Sequence, residues 1–214
     1  MADQGKYTKK LLVEGPTDMH VVLALCEHHG VPENFDIVDC GGIENLFENV
    51  KMRLSNPRLN STIGIMIDAD NDIEKRLGQV VEIVEKSFQA PLAYHPSPKG
   101  IIIPSQNTEA IPNIGIWLMP DNVNLGMIED FAISLIPQDD NMIGEVDDEL
   151  KRIEGKGINR YSAIHRSKAK IHTYLSWQEE PGSPIGLSIT KKVLDPEHEI
   201  AQRYVDWLIN LFSL

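Results

Sequence analysis

The segment TIGIMIDAD, residues 62–70, is the most strand-like stretch of the chain and decides the predicted fold. It is β-branched and apolar up to Asp68, which is the pattern of a strand. The following segment, NDIEKRLGQVVEIVEKSF (residues 71–88), has the apolar periodicity of a helix and alternating charges on its other positions. Residues 62–88 therefore predict one strand followed by one helix.

Two similar units precede this one in the chain. KLLVE (residues 10–14) is a short apolar run, and DMHVVLALCEHHG (residues 18–30) predicts a helix that ends at its glycine. FDIVDCGG (residues 35–42) and IENLFENVKMRL (residues 43–54) repeat the order of strand and helix. Three consecutive strand–helix units predict an α/β fold with a parallel sheet flanked by helices.

The second half of the chain has a different pattern. KGIIIP (residues 99–104) and NIGIWLMP (residues 113–120) predict two more short strands, which could extend the sheet at an edge. From residue 126 onward the pattern is mainly helical. We therefore expect an α/β core over residues 1–125 and a helical part over residues 126–214 that packs on the core and completes the site.

Composition limits the class of protein. The chain has 214 residues and is 42% hydrophobic, enough for a substantial core. Cys26 and Cys40 lie far apart without a CxxC spacing, so they suggest neither a zinc site nor a disulfide framework, and a reducing cytoplasm is expected. The polar N-terminal segment predicts no signal peptide, and no stretch has the length and apolarity of a membrane span.

The charge distribution predicts only a local contact with nucleic acid. The formal net charge of −12 argues against a protein that coats nucleic acid with a generally basic surface. One segment without acidic residues, between Gly155 and Gln178, carries five cations: Lys156, Arg160, Arg166, Lys168 and Lys170. These cations could bind phosphates, or they could simply form a solvated helix face.

Acidic residues stand where two of the predicted strands end. Glu14 closes the first strand and Asp18 begins the next helix, while Asp68 and Asp70 close the third strand. In open parallel sheets the functional crevice lies at the carboxyl ends of the strands. If the chain stays extended, Asp68 and Asp70 point to the same side, where both could face one ion. Converging carboxylates repel one another without a cation, and their oxygens suit Mg²⁺ or Mn²⁺.

Two of these segments resemble a known family. LLVEGPTDMHVV (residues 11–22) and GIMIDADND (residues 64–72) are similar to the two signature motifs of the Toprim domain. IVDCGGIENL (residues 37–46) looks like the glycine turn that follows its second strand. The domain occurs in topoisomerases, primases, recombination proteins and the overcoming-lysogenization-defect nucleases. The resemblance implies that Glu14, Asp68 and Asp70 bind a divalent metal for phosphodiester chemistry.

Beyond the two motifs, the chain looks most like the overcoming-lysogenization-defect nucleases and their stand-alone relatives. That resemblance implies Asp18 and Glu129 as further metal ligands, with Asp130 as the alternative to Glu129. It also implies a lysine that neutralises charge on the phosphate, with Lys168 preferred to Lys170. The serine that often precedes the late glutamate in those nucleases is absent here, because Gly126, Met127 and Ile128 stand before it.

The resulting expectation is a nuclease that hydrolyses DNA or RNA with one or two Mg²⁺ or Mn²⁺ ions. The expected catalytic residues are Glu14, Asp68, Asp70 and Lys168. The chain lacks a G-x-x-x-x-G-K-[ST] loop, so any ATPase would be a separate partner. Two alternatives stay open: a nucleotide-sugar transferase that uses the Asp-x-Asp pair, and a non-catalytic metal- or nucleotide-binding partner of another nuclease or ATPase.

Two further features have simpler interpretations. The last helical segment, IAQRYVDWLINLFSL (residues 200–214), has an apolar face that predicts core packing, with a homodimer as the alternative. His28 and His29 stand at the end of the first predicted helix, where a positive charge is favourable, and this position explains them without catalysis.

Overall fold

The computed structural model describes residues 5–56, 60–105 and 111–213. In these ranges the strands are β1 (Lys9–Val13), β2 (Asp36–Asp39), β3 (Thr62–Asp68), β4 (Ile101–Ile103) and β5 (Asn113–Met119). The helices there are α1 (Pro16–His29), α2 (Ile43–Leu54), α3 (Ile73–Phe88), α4 (Ile128–Ser134), α5 (Met142–Gly155), α6 (Arg166–Ser176), α7 (Ile185–Thr190) and α8 (Glu199–Phe212). A short 3₁₀ helix, Ala163–His165, directly precedes α6.

The strands form one sheet in the order β2-β1-β3-β5-β4. The first three pairings in this order are parallel, and only the edge strand β4 runs antiparallel to its neighbour. This architecture confirms the predicted α/β class, with helices flanking a mostly parallel sheet and a mainly helical C-terminal region, and it is consistent with a Toprim-like fold.

The position of β5 differs from the expectation of an added edge. β4 does lie at the edge, but β5 lies inside the sheet and pairs with β3 along its whole length, from Thr62 opposite Asn113 to Asp68 opposite Met119. Six of its seven residues are buried. A strand this apolar is stabilised more by two neighbouring strands than by a solvent-facing edge.

Alternating side chains of the sheet enter two separate hydrophobic clusters. On one face Leu12 and Ile65 pack with the apolar residues of α2 and α3. On the other face Leu11, Met66 and Trp117 pack with α1 and with the helices of the C-terminal region. The period-two alternation of β1 and β3 therefore divides their side chains between two helical layers.

The C-terminal helix α8 crosses the second face of the sheet. Trp207 and Tyr204 contact Trp117 of β5, with ring centroids 5.7 and 5.1 Å from it. A Cβ atom at Gly115 would overlap Leu211 of α8, so the small residue permits this close approach. The apolar face of α8 is thus used in the core of the chain itself.

No helix within the described ranges has both the length and the apolarity needed to cross a membrane.

Candidate functional site

Glu14 and Asp68 meet at the carboxyl edge of the sheet. β1 ends at Val13 and its parallel neighbour β3 ends at Asp68, so the residues that close the two strands are adjacent in space. The backbone N–H of Asp68 donates a 2.9 Å hydrogen bond to Oε1 of Glu14. Two residues that are 54 positions apart in sequence therefore share one site, as the strand-end argument predicted.

Asp18 lies beside them at the start of α1. Its Oδ2 accepts a 2.9 Å hydrogen bond from the backbone N–H of Gly15, and only 7% of the residue is exposed. This bond satisfies one of the free N–H groups at the helix start. Asp18 also lines an open cleft together with Glu14, Asp68 and the Gly41–Gly42 turn, so capping does not take it away from the site.

The start of α4 brings Glu129 into the same cleft. The backbone N–H of Ile128 donates a 3.0 Å hydrogen bond to Oδ1 of Asp68, which fixes the helix start against the strand end. Glu129 is 5% exposed and lines the cleft. Asp130 turns away, because its carboxylate accepts hydrogen bonds from the backbone of Met127 and from the hydroxyl of Ser167. The placement favours Glu129 over Asp130.

Lys168 is the lysine at the cleft. Its Nζ lies 3.3 Å from Oε1 of Glu129, and its side chain is 58% exposed. Lys170 instead pairs with Asp147 on α5, at 3.4 Å, and does not line the cleft. Of the two lysines that the sequence left open, the structure places Lys168 near the acids.

Asp70 does not line the cleft with the other acids, because the chain is not extended at Asp70 as the sequence argument had required. β3 ends at Asp68, and the backbone of Asp70 has φ 53°, so the alternation of an extended strand does not reach it. Reciprocal backbone hydrogen bonds with Gly126 hold this conformation. The Asp70 carboxylate forms an ion pair with Arg76 of α3 and lines an adjoining depression.

Burial raises the pKa values of Glu14, Asp18 and Asp68, and the charges of neighbouring acids add to this effect. Removal from water raises the pKa of Asp68 well above its usual range, and the charges of Asp18, Glu14 and Glu129 raise it further. Burial, assisted by the charge of Glu14, raises the pKa of Asp18 to about 7. Burial also raises the pKa of Glu14, although the Asp68 N–H and the charge of Arg76 act in the opposite direction. Without a cation this cluster costs folding free energy.

The donor set of the cleft fits a hard divalent cation. Carboxylate oxygens are the ligands that Mg²⁺ and Mn²⁺ prefer, and a cation would remove the repulsion that raises these pKa values. The carboxylate oxygens of these acids are, however, farther apart than the ligand atoms around a single bound ion. In the described parts of the chain, ligand atoms of three or more His, Cys, Asp or Glu residues lie within 4.8 Å of one another only at His28, His29 and Glu197. The cleft acids would have to rotate to share one ion.

Two residues near the site were missed by the sequence argument. Arg76 pairs with Asp70, and no local pattern distinguishes it from the other charges of an amphipathic helix. His165 lines the cleft with Lys168, and its Nδ1 is 3.2 Å from Oγ of Ser162. The signal for His165 in the sequence is its position three residues before Lys168. His172, a further histidine of α6, is exposed and does not line the cleft.

Comparison with known proteins gives one match. Residues 8–213 match the model of the family described as "Protein of unknown function (DUF3226)". No curated protein and no solved structure matches the chain.

Proposed function

The chain belongs to the DUF3226 family, and we propose that it is a metal-dependent phosphodiester hydrolase that cleaves DNA or RNA. The observation that carries this proposal is the meeting of Glu14, Asp18, Asp68 and Glu129 with Lys168 in one cleft at the carboxyl edge of the sheet. The resemblance of the two strand-end motifs to the Toprim signatures gives the same chemistry.

The arrangement divides the chemistry among these side chains. Glu14, Asp18, Asp68 and Glu129 supply the oxygen ligands for Mg²⁺ or Mn²⁺, and the bound ion supplies an activated water and a positive charge next to the phosphate. Lys168 is exposed and already lies beside an acid of the cleft. It is therefore placed to bind a phosphate oxygen and to neutralise the charge that develops there.

Asp70 has a different place in this proposal from the one that the Asp-x-Asp pattern suggested. Its carboxylate is held by Arg76, so it acts first as the partner of that guanidinium. Its charge still acts on both Glu14 and Asp68. Asp70 thus contributes negative potential to the cleft and becomes a ligand only if the Arg76 pair opens.

The basic segment offers a limited contact for nucleic acid. Arg166 is paired with Asp147 and Glu154, and Lys170 is paired with Asp147. Lys156 and Arg160 are exposed in the loop that leads to α6, which carries Lys168. We infer that these two cations, rather than the whole segment, contact the phosphates flanking the scissile bond.

The test is cleavage of single-stranded DNA, duplex DNA and RNA in the presence of Mg²⁺ or Mn²⁺. Asp68→Asn and Glu14→Gln keep the size of each side chain and remove its charge, so cleavage should fall at least about a hundredfold if these groups bind the ion. Asp206→Asn, an exposed carboxylate of α8, is the matched control and should cleave like the unmodified protein.

Two outcomes would overturn the proposal. One is cleavage that persists equally in all four proteins, which would mean that the acids are not catalytic. The other is metal binding in the unmodified protein, lost in Asp68→Asn, with no cleavage of any substrate. That result would support the non-catalytic metal-binding partner instead.

A further inference from the structure

A second cluster of metal-ligating side chains lies at the other end of α1. His28 and His29 occupy the last turn of this helix, and Glu197 lies in the segment that precedes α8. One ligand atom of each residue lies within 4.8 Å of the other two. The helix runs from Pro16 to His29, so this cluster is roughly 20 Å from the cleft acids at the helix start.

The two histidines are held in place by different partners. Nε2 of His29 is 2.8 Å from the backbone oxygen of Pro196, and a ring nitrogen in this position donates its proton to the carbonyl. His29 then keeps a lone pair on Nδ1. Metal-binding histidines characteristically donate their second nitrogen to a carbonyl or carboxylate in this way, because the bond fixes both tautomer and ring orientation.

His28 and Glu197 are the two residues of the cluster whose side chains would have to move apart to bind a metal ion. Nε2 of His28 is 2.6 Å from Oε1 of Glu197, and the other carboxylate oxygen of Glu197 accepts a 3.3 Å hydrogen bond from Gln202. Two ligand atoms on a tetrahedral zinc ion are about 3.3 Å apart. The His28–Glu197 pair therefore needs to open by less than an ångström, and the Glu197 side chain is 60% exposed.

The position at the helix end also favours a cation. The C-terminal end of α1 carries the negative end of the helix dipole, and Gly30 closes the helix in a left-handed conformation with φ 63°. The position at the helix end explains why positive charge is favourable here. It does not explain why Glu197 and Pro196 contact the two histidines.

We propose that His28, His29 and Glu197 form a binding site for Zn²⁺ or a similar borderline-soft divalent ion, with water completing the shell. Two imidazoles and one carboxylate suit zinc, whereas the all-carboxylate cleft suits Mg²⁺ or Mn²⁺. The ion would join the end of α1 to the segment before α8. Since α1 starts at the cleft and α8 packs on the sheet, the site would stabilise the attachment between the N-terminal units and the C-terminal helices.

The test uses the untagged full chain, freed of metal, with Zn²⁺ alone as the probe. Affinity is measured by competition with a chromophoric chelator, together with the Zn²⁺-induced change in melting temperature. The unmodified protein should bind one Zn²⁺ at this site, and His28→Ala and Glu197→Gln should each weaken binding at least about tenfold. His172→Ala removes an exposed histidine of α6 and should leave binding unchanged.

Asp68→Asn separates this site from the cleft. Zinc affinity should be retained in Asp68→Asn and weakened in Glu197→Gln, while Mg²⁺-dependent properties should be weakened in Asp68→Asn and retained in Glu197→Gln. Zinc binding that is unchanged in both His28→Ala and Glu197→Gln would overturn the proposal, as would loss of zinc binding in Asp68→Asn alone. Glu197→Gln alters one exposed side chain, so it keeps the test valid even if His28→Ala disturbs folding.

Discussion

Replacing Asp18 with asparagine should stabilise the metal-free protein at neutral and alkaline pH. The substitution removes a buried negative charge from beside Glu14 and Glu129. The amide oxygen of asparagine can still accept the hydrogen bond from Gly15 that caps α1. The helix start is therefore preserved, and only the electrostatic cost of the cluster changes.

The size of the effect follows from the pKa of Asp18. Its rise from 3.8 to about 7 means that the folded protein binds the proton more tightly than the unfolded chain does. This contribution favours folding below about pH 4 and is lost as the pH rises to about 7. About three pKa units correspond to an upper limit of about 4 kcal/mol. Burying an amide group also has a cost, so we expect a gain of about 2 kcal/mol at pH 8.

Thermal unfolding in the presence of a chelator measures this gain. For a chain of this size, about 2 kcal/mol corresponds to a rise in melting temperature of roughly 4–8 °C at pH 8. At pH 4 Asp18 is protonated in the folded protein, so the gain should disappear and the cost of the buried amide should leave the variant slightly less stable than the unmodified protein. Added Mg²⁺ or Mn²⁺ should then stabilise the unmodified protein more than Asp18→Asn, because the ion needs the charge that the variant lacks.

The reasoning fails if Asp18→Asn melts at or below the temperature of the unmodified protein at pH 8 without metal. In that case the capping role of the carboxylate would outweigh the repulsion in the cluster. Asp206→Asn serves as the control, because it removes an exposed charge from α8 and should change the melting temperature little at either pH.

Two further predictions concern residues outside the cleft. Arg76→Gln releases Asp70 and makes the site more negative. The Mn²⁺ affinity, measured by calorimetry, should therefore rise about fivefold, equivalent to about 1 kcal/mol. An unchanged or lower affinity would mean that Asp70 does not reach the ion. The double substitution of Lys156 and Arg160 by alanine should weaken nucleic-acid binding and reduce the slope of log affinity against log salt by about two for duplex DNA. An unaltered slope would show that neither cation contacts a phosphate.

Much of the architecture could be read from local sequence patterns. The apolar run that ends at Asp68 and the helical segment around Asp18 depend on neighbouring residues, so their strand and helix assignments follow from periodicity and turn residues, although α1 begins at Pro16, two residues before the predicted start. The order of strand and helix then predicts parallel strands whose carboxyl ends share an edge. This rule predicts that Glu14 lies beside Asp68, and the hydrogen bond between the two residues agrees with it.

Side-chain direction at the strand end could not be obtained in the same way. The choice of Glu129 over Asp130 depends on two contacts of the Asp130 carboxylate. The bond from Met127 lies within the first turn of α4, whereas the bond from Ser167 forms only after α4 and α6 pack. Asp70 turns toward Arg76 because Gly126, far along the chain, pairs with its backbone. The contacts with Ser167 and with Gly126 have no local signature.

The sequence by itself determined the strand–helix units, the α/β class and the sheet edge at which the acids gather. Only the tertiary structure decided that β5 lies inside the sheet, that Lys168 rather than Lys170 faces the acids, and that the end of α1 meets Glu197. The physical reason is range: periodicity and capping act over a few residues, whereas register and side-chain contacts depend on segments that meet only when the chain folds.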